Sequence, residues 1–197
     1  MAISVIMLSQ NVLYGYPWYS IQVGRSYGVN PTTLNDFWKN GYRFGAGIRE
    51  PYIFYPNHLS LWVNIDYSYF PFNHKANFPI KFSDGSQIPF NSGKDTHVFT
   101  GLLRLLISTE DNSKDIVLYF SLGSGMLKRS RTEFTTEYLP LSHVNTNYRI
   151  AGVFTFGLGF NARIKKEFRG FLDISYLRAN TRPGITSYFP ISLGVQF

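Results

Sequence analysis

Residues 59–70 read "LSLWVNIDYSYF". On an extended chain Leu59, Leu61, Val63, Ile65, Tyr67 and Tyr69 fall on one side, and Ser60, Trp62, Asn64, Asp66 and Ser68 on the other. Side chains alternate across a strand, so a period of two with one apolar side marks a β-strand whose two faces meet different surroundings. The fold follows from which face is inside. A carboxylate among small polar residues needs partners, whereas the opposite side needs hydrocarbon or a core.

The pattern recurs along the chain. "YSIQVGRSYG" (19–28) sets Tyr19, Ile21, Val23 and Tyr27 against Ser20, Gln22, Gly24, Ser26 and Gly28, and "YRFGAGIR" (42–49) sets Tyr42, Phe44, Ala46 and Ile48 against Arg43, Gly45, Gly47 and Arg49. Further copies lie at 98–108, 116–127, 150–161, 171–177 and 187–197, which makes eight. In the last, "SYFPISLGVQF", Ile191, Leu193, Val195 and Phe197 share a face opposite Ser192, Gly194 and Gln196. Strands of about ten residues cross a bilayer when tilted. The connections run broadly long then short: 30–40, 50–58, 73–97, 109–115, 128–147, 161–168 and 178–186. Long loops at one end and short turns at the other are the habit of transmembrane barrels.

Composition agrees. Charged residues are 16% of the 197, against about 25% in soluble domains, and Phe (18), Tyr (14) and Gly (17) are abundant. Mean hydropathy is −0.10, and no run approaches the ~18 apolar residues of a membrane helix. The expected fold is therefore all-β, an eight-stranded antiparallel up-and-down transmembrane β-barrel. Nine of the eleven glycines within the eight segments share the polar face, Gly101 and Gly152 being the exceptions, and a narrow barrel has little room for side chains there. Arg43, Arg49, Asp66, Arg104 and Asp173 lie on that face and are expected to form a polar, partly hydrated cluster in the lumen, each aspartate pairing with an arginine. Arg25 stands on the apolar face, as a snorkelling cation or the mark of a bulge. Charges inside and aromatics outside argue against a soluble lipocalin-like ligand-binding barrel.

"NDFWKNGYRFGAGIREPYIFYPNHLSLWVNIDYSYFPF" (35–72), the 150–177 segment and the closing strand resemble the OmpA-like/OmpX-like group of small outer-membrane β-barrel domains of Gram-negative bacteria. The resemblance implies residence in the bacterial outer membrane. It also implies that Ile191, Leu193, Val195 and Phe197 act as the signal read by the barrel assembly machinery. The segment "MAISVIMLSQNVLYG" has a short apolar core, Ala2–Leu8, and ends on a small residue, like the end of a signal peptide, although the first basic residue is Arg25. The expected division is a signal segment at 1–15, truncated or with a mis-assigned start, and a barrel domain at 16–197.

The charge of +7 (19 basic, 12 acidic) favours anionic partners. Lys128, Arg129, Arg131, Arg178 and Arg182 fall near outer connections and are candidate contacts for lipopolysaccharide phosphates. Nucleic acid would require cations and aromatics on one presented face, but the aromatics are committed to lipid. Tyr16, Trp18, Tyr42, Tyr69 and Tyr188 are expected in interfacial girdles. There is no cysteine, hence no disulfide or thiolate metal site. The Gly-x-Gly pairs precede no helix, and His58, His74, His97 and His143 form no metal motif, so no cofactor is expected. The function expected is a monomeric structural or surface-interaction protein, with a porin-like narrow pore as one form. The alternative is a lipid-modifying enzyme using His97, or His143 with Ser142.

Overall fold

The computed structural model describes residues 17–29, 39–55, 59–73, 78–81, 87–90, 92–93, 95–108, 115–130, 134–135, 149–165, 167–181 and 184–197; the expected signal segment, Tyr16, Arg131, Arg182, His58, His74, Ser142 and His143 lie outside them. These residues form β1 (Trp18–Gly28), β2 (Gly41–Tyr55), β3 (Leu59–Phe72), β4 (Phe78–Lys81), β5 (Gln87–Phe90), β6 (Ser92–Gly93), β7 (Thr96–Ser108), β8 (Ile116–Arg129), β9 (Phe134–Thr135), β10 (Arg149–Lys165), β11 (Phe168–Thr181) and β12 (Gly184–Gln196). Eight of them, β1, β2, β3, β7, β8, β10, β11 and β12, close into one barrel. The other four pair as β4 with β5 and β6 with β9.

Every barrel strand runs antiparallel to its neighbours, and β1 closes the cylinder on β12 from Ser20 opposite Gln196 to Gly28 opposite Tyr188. Tyr19 and Phe197 add a reciprocal pair of backbone hydrogen bonds, each 3.0 Å. Closure gives each strand a partner on both sides, which a chain in hydrocarbon needs because lipid offers nothing to a free N–H or C=O. Three long connections, 29–40, 73–95 and 130–148, leave one end, here the outer end; 56–58, 109–115 and 166–167 join strands at the other. Three expected connections are shorter than the periodicity predicts, one of them being 161–168, where β10 runs to Lys165 and β11 begins at Phe168. β2 runs on to Tyr55, and β11 and β12 continue to within two residues of each other.

The two faces have the polarity of a membrane barrel. Ile65, Tyr67, Leu103, Phe154 and Leu158 point outward at 48–64% exposure, while Arg43, Asp66 and Asp173 are inside at 1–2%. A soluble barrel would lose heavily on both counts, exposing an apolar belt to water and burying its charges. Arg25 is exposed on the outer face, its guanidinium over the Tyr42 ring at 5.3 Å.

The lumen departs from the expected wet interior. Its outer half is filled by an apolar cluster that includes Phe70, Phe72, Val98, Leu102, Leu127, Leu177 and Tyr188. Tyr188 is therefore no girdle residue. It keeps the inward parity of Ser192 and Gln196, and its ring meets Phe70 edge-on at 5.0 Å and Phe72 at 5.8 Å. Trp18 has the inward parity of Ser20 and Gln22 for the same reason, and Arg169 lies over its ring. Tyr42 stays outside.

Close approach of neighbouring backbones or side chains explains the inner glycines. A methyl added at Gly125 would collide with the Gly101 carbonyl oxygen on the neighbouring strand, and one at Gly152, which faces outward, would meet nothing within 4 Å. Gly125→Ala is expected to destabilise the barrel by about 1–3 kcal/mol, as overpacking does. Gly152→Ala should stay within about 0.5 kcal/mol of the parent. Urea unfolding followed by heat-modifiable gel migration measures both.

Candidate functional site

Beneath the apolar cluster lies a network built around two carboxylates. Asp66 faces inward from β3, where Ser68 donates to it at 2.6 Å and Gln22 of β1 donates a short hydrogen bond. Arg43 of β2 reaches Asp66 with one terminal nitrogen, 3.1 and 3.3 Å from its two oxygens. Its other terminal nitrogen donates to Ser192 of β12 at 3.0 Å and lies 3.6 Å from Asp173 of β11. Asp173 in turn holds Arg104 of β7 in a two-pronged pair, 2.6 and 3.2 Å, and accepts from Tyr119 of β8 at 3.1 Å and Ser175 at 3.2 Å. Arg104 also donates to Ser121 at 2.7 Å. Two-pronged guanidinium–carboxylate pairs are the strong form of such contacts.

The network thus joins seven barrel strands. The eighth, β10, contributes space: a side chain at Gly159 would overlap the Tyr119 ring. Arg43 is tied upward as well, its guanidinium 5.6 Å from the Phe70 ring centre. Ser68, Ser121, Ser192, Phe70 and Leu127, in the network and in the apolar cluster above it, have no exposure to water. The arrangement binds strands together and excludes solvent; among the described residues it offers no group to a substrate.

The five residues grouped in the sequence do not all join. Arg43, Arg104, Asp66 and Asp173 form the ion pairs, but Arg49 makes none. It lies over the Tyr119 ring at 5.2 Å and meets the Gln196 side-chain carbonyl, at 3.0–3.1 Å once that amide is correctly oriented. Its register explains this, since Arg49 sits opposite Trp18 and Asn64, nearer the inner mouth. Sequence reasoning missed Tyr119 and Gln22 as carboxylate partners, and cross-strand register, the signal that would find them, is not written locally.

The cationic candidates divide. Lys128 and Arg178 are exposed on the outer face, opposite Ile150 and Phe154 of β10 respectively. Arg129 does not share that surface. It has the opposite parity, is buried, and donates to Thr186 at 3.3 Å. Ile191, Leu193 and Phe197 face outward from β12. His97 is half-buried at the outer rim, its ring nitrogen Nδ1 2.7 Å from the Tyr69 hydroxyl and its backbone N–H donating to Ser130. No metal-holding group of His, Asp or Glu occurs among the described residues.

No protein-family model matches the chain, and no curated protein matches it in sequence. Solved structures do. Neisserial surface protein A (NspA) aligns with a TM-score of 0.57 at 11% identity, covering 91% of this chain and 95% of NspA. The fold is that of an outer-membrane β-barrel. The Escherichia coli outer membrane protease OmpT aligns at TM-score 0.51 and 9% identity, over 95% and 99% of the two chains. The N-terminal β-barrel domain of Pseudomonas aeruginosa OprF aligns at 0.48 and 11%, over 92% and 97%. At these identities the likeness is one of fold. OmpT is a protease by name, so the fold in itself sets neither an enzymatic nor a non-enzymatic role.

Removing one partner of a buried ion pair strands the other, at a cost of about 3–5 kcal/mol. Asp173→Asn, which leaves Arg104 and Arg43 facing a neutral amide, is expected to fall in that range. Replacing Asp173 and Arg104 together by Asn and Leu should recover part of the loss. Equilibrium urea unfolding of the refolded barrel checks the comparison.

Proposed function

We propose that this chain is a bacterial outer-membrane protein with a surface-interaction role, in which a closed barrel carries the three long outer connections and no solute passes through the lumen. The observation that carries this reading is the sealed interior. A passage wide enough for water would leave its wall accessible, yet Phe70, Val98, Leu127, Tyr188 and Ser68 have no exposure. In this reading the lumen is no porin-like pore, and the surface outside the membrane carries specificity. Of the histidine candidates for lipid-modifying chemistry, His97 is the one described, and its ring is engaged by Tyr69.

Lipopolysaccharide is the first partner in this reading. Lys128 and Arg178 present cations at the outer part of the lipid-facing wall, in position for phosphate groups of the outer leaflet, and Arg131 and Arg182 follow them in sequence. Ile191, Leu193, Val195 and Phe197 would serve the assembly machinery before they face lipid, and the barrel would work as a monomer.

In planar bilayers the chain should show no steady conductance, and a sustained open level would overturn the closed-barrel reading. In cells it should fractionate with the outer membrane and migrate differently before and after heating. Lys128→Gln with Arg178→Gln should weaken lipopolysaccharide binding by about 1 kcal/mol for each cation lost, measured by titrating the nanodisc-embedded barrel, with no change in barrel stability.

A further inference from the structure

Arg25 stands on the lipid-facing wall near the outer end of β1. Its register partners are Tyr42 of β2 and Ile191 of β12. The Tyr42 ring centre lies 5.3 Å from the guanidinium, and one terminal nitrogen donates a long hydrogen bond, 3.4 Å, to the Tyr42 hydroxyl. Among the described residues no carboxylate is in ion-pair range of Arg25. Toward the inner end, the next lipid-facing pairs of the β1–β12 seam are Val23 with Leu193 and Ile21 with Val195; toward the outer end comes Tyr27 with Phe189. Tyr176 of β11 adds a ring 5.0 Å from that of Phe189. The cation thus sits where the aliphatic band gives way to the aromatic girdle. An arginine on a lipid-facing wall costs stability according to its depth, and an anionic partner at that depth offsets the cost.

Below the guanidinium the wall is indented. A shallow groove of about 320 Å³ follows the seam, lined by Ile21, Val23, Leu193 and Val195 with Gln22 and Gly194 between them. The rung through Ile21 and Val195 continues to Ala46 on one side and Gly170 on the other, whose side chains are a methyl and a hydrogen. An apolar groove open to hydrocarbon, with a cation at its outer end, matches a molecule that carries an anionic head above a chain. A guanidinium fork takes two oxygens of a phosphate, and the exposed tyrosines 27 and 42 flank it with hydroxyl groups. We propose that the β1–β12 seam is a lipid-binding site, in which a phosphate of an outer-leaflet glycolipid lies on Arg25 and one of its acyl chains lies along the groove. The site rests on the outer-membrane reading, but it uses neither the outer connections nor Lys128 and Arg178, which rise from other strands.

The test uses the full chain in phosphatidylcholine nanodiscs with a rising fraction of lipid A, read on the Val23, Leu193 and Val195 methyl resonances. A saturable shift is expected, absent when the same lipid has been stripped of its phosphates and absent with inorganic phosphate alone. The midpoint should lie about ten-fold higher in Arg25→Gln, an exposed position whose loss spares the fold. It should be unchanged when Lys128→Gln and Arg178→Gln are combined. No saturable shift, an equal response to the dephosphorylated lipid or to free phosphate, or an equal midpoint in Arg25→Gln overturns the site. Heat-modifiable gel migration of each variant reports insertion separately, so loss of this site is distinguished from failure of the outer-membrane reading.

Discussion

Asp173 has partners that no single hairpin could supply. Arg104 comes from β7, Tyr119 from β8, Arg43 from β2, and Ser175 from its own strand. A carboxylate withdrawn from water costs several kcal/mol unless its oxygens are met by charge and hydrogen bonds together. Here both conditions hold only when strands distant in sequence have closed around it. The glycines of the inner face follow from that requirement. Gly45 leaves room for Gln22 and Ser68, Gly123 for the Arg104 stem, and Gly159 for Tyr119.

The polarity of the barrel could be read from residues 59–70 and their repeats, because a lipid-facing wall and a polar interior put opposite chemistries on alternate residues. The number of strands and the long-then-short connections followed. Where both faces are apolar the reading fails. In β7, Phe99, Leu103 and Leu105 face out and Val98, Leu102 and Leu106 face in, so the apolar layer of the lumen is not visible in that segment. Tyr188 and Trp18 are aromatic like the girdle residues, but their parity turns them inward. The pairing of each aspartate with an arginine is legible from their shared face, but which arginine, and the further partners Tyr119 and Gln22, are not. Asp173 and Arg104 are 69 residues apart, and only the register of the closed sheet brings them together.

The interior is layered along its axis. Apolar rings lie uppermost, the carboxylate network comes next, and arginines with amide and indole neighbours lie at the inner mouth. The first two layers exclude water by different means, one by packing and the other by mutual satisfaction of charge, while in the third guanidiniums lie over aromatic faces. A cylinder stopped at two successive levels is a scaffold, and what varies at its ends is free to change without reopening it.

Arg43 carries one further consequence. Its two terminal nitrogens reach Asp66 on the adjacent strand and Ser192 and Asp173 on the last two. An incomplete sheet lacking β11 and β12 would hold this cation with half of its complement, and Arg104 without its ion-pair partner. The final hairpin therefore does more than close a gap: it delivers the missing negative charge, so a partly built wall is electrically unbalanced and the completed one is neutral at its waist.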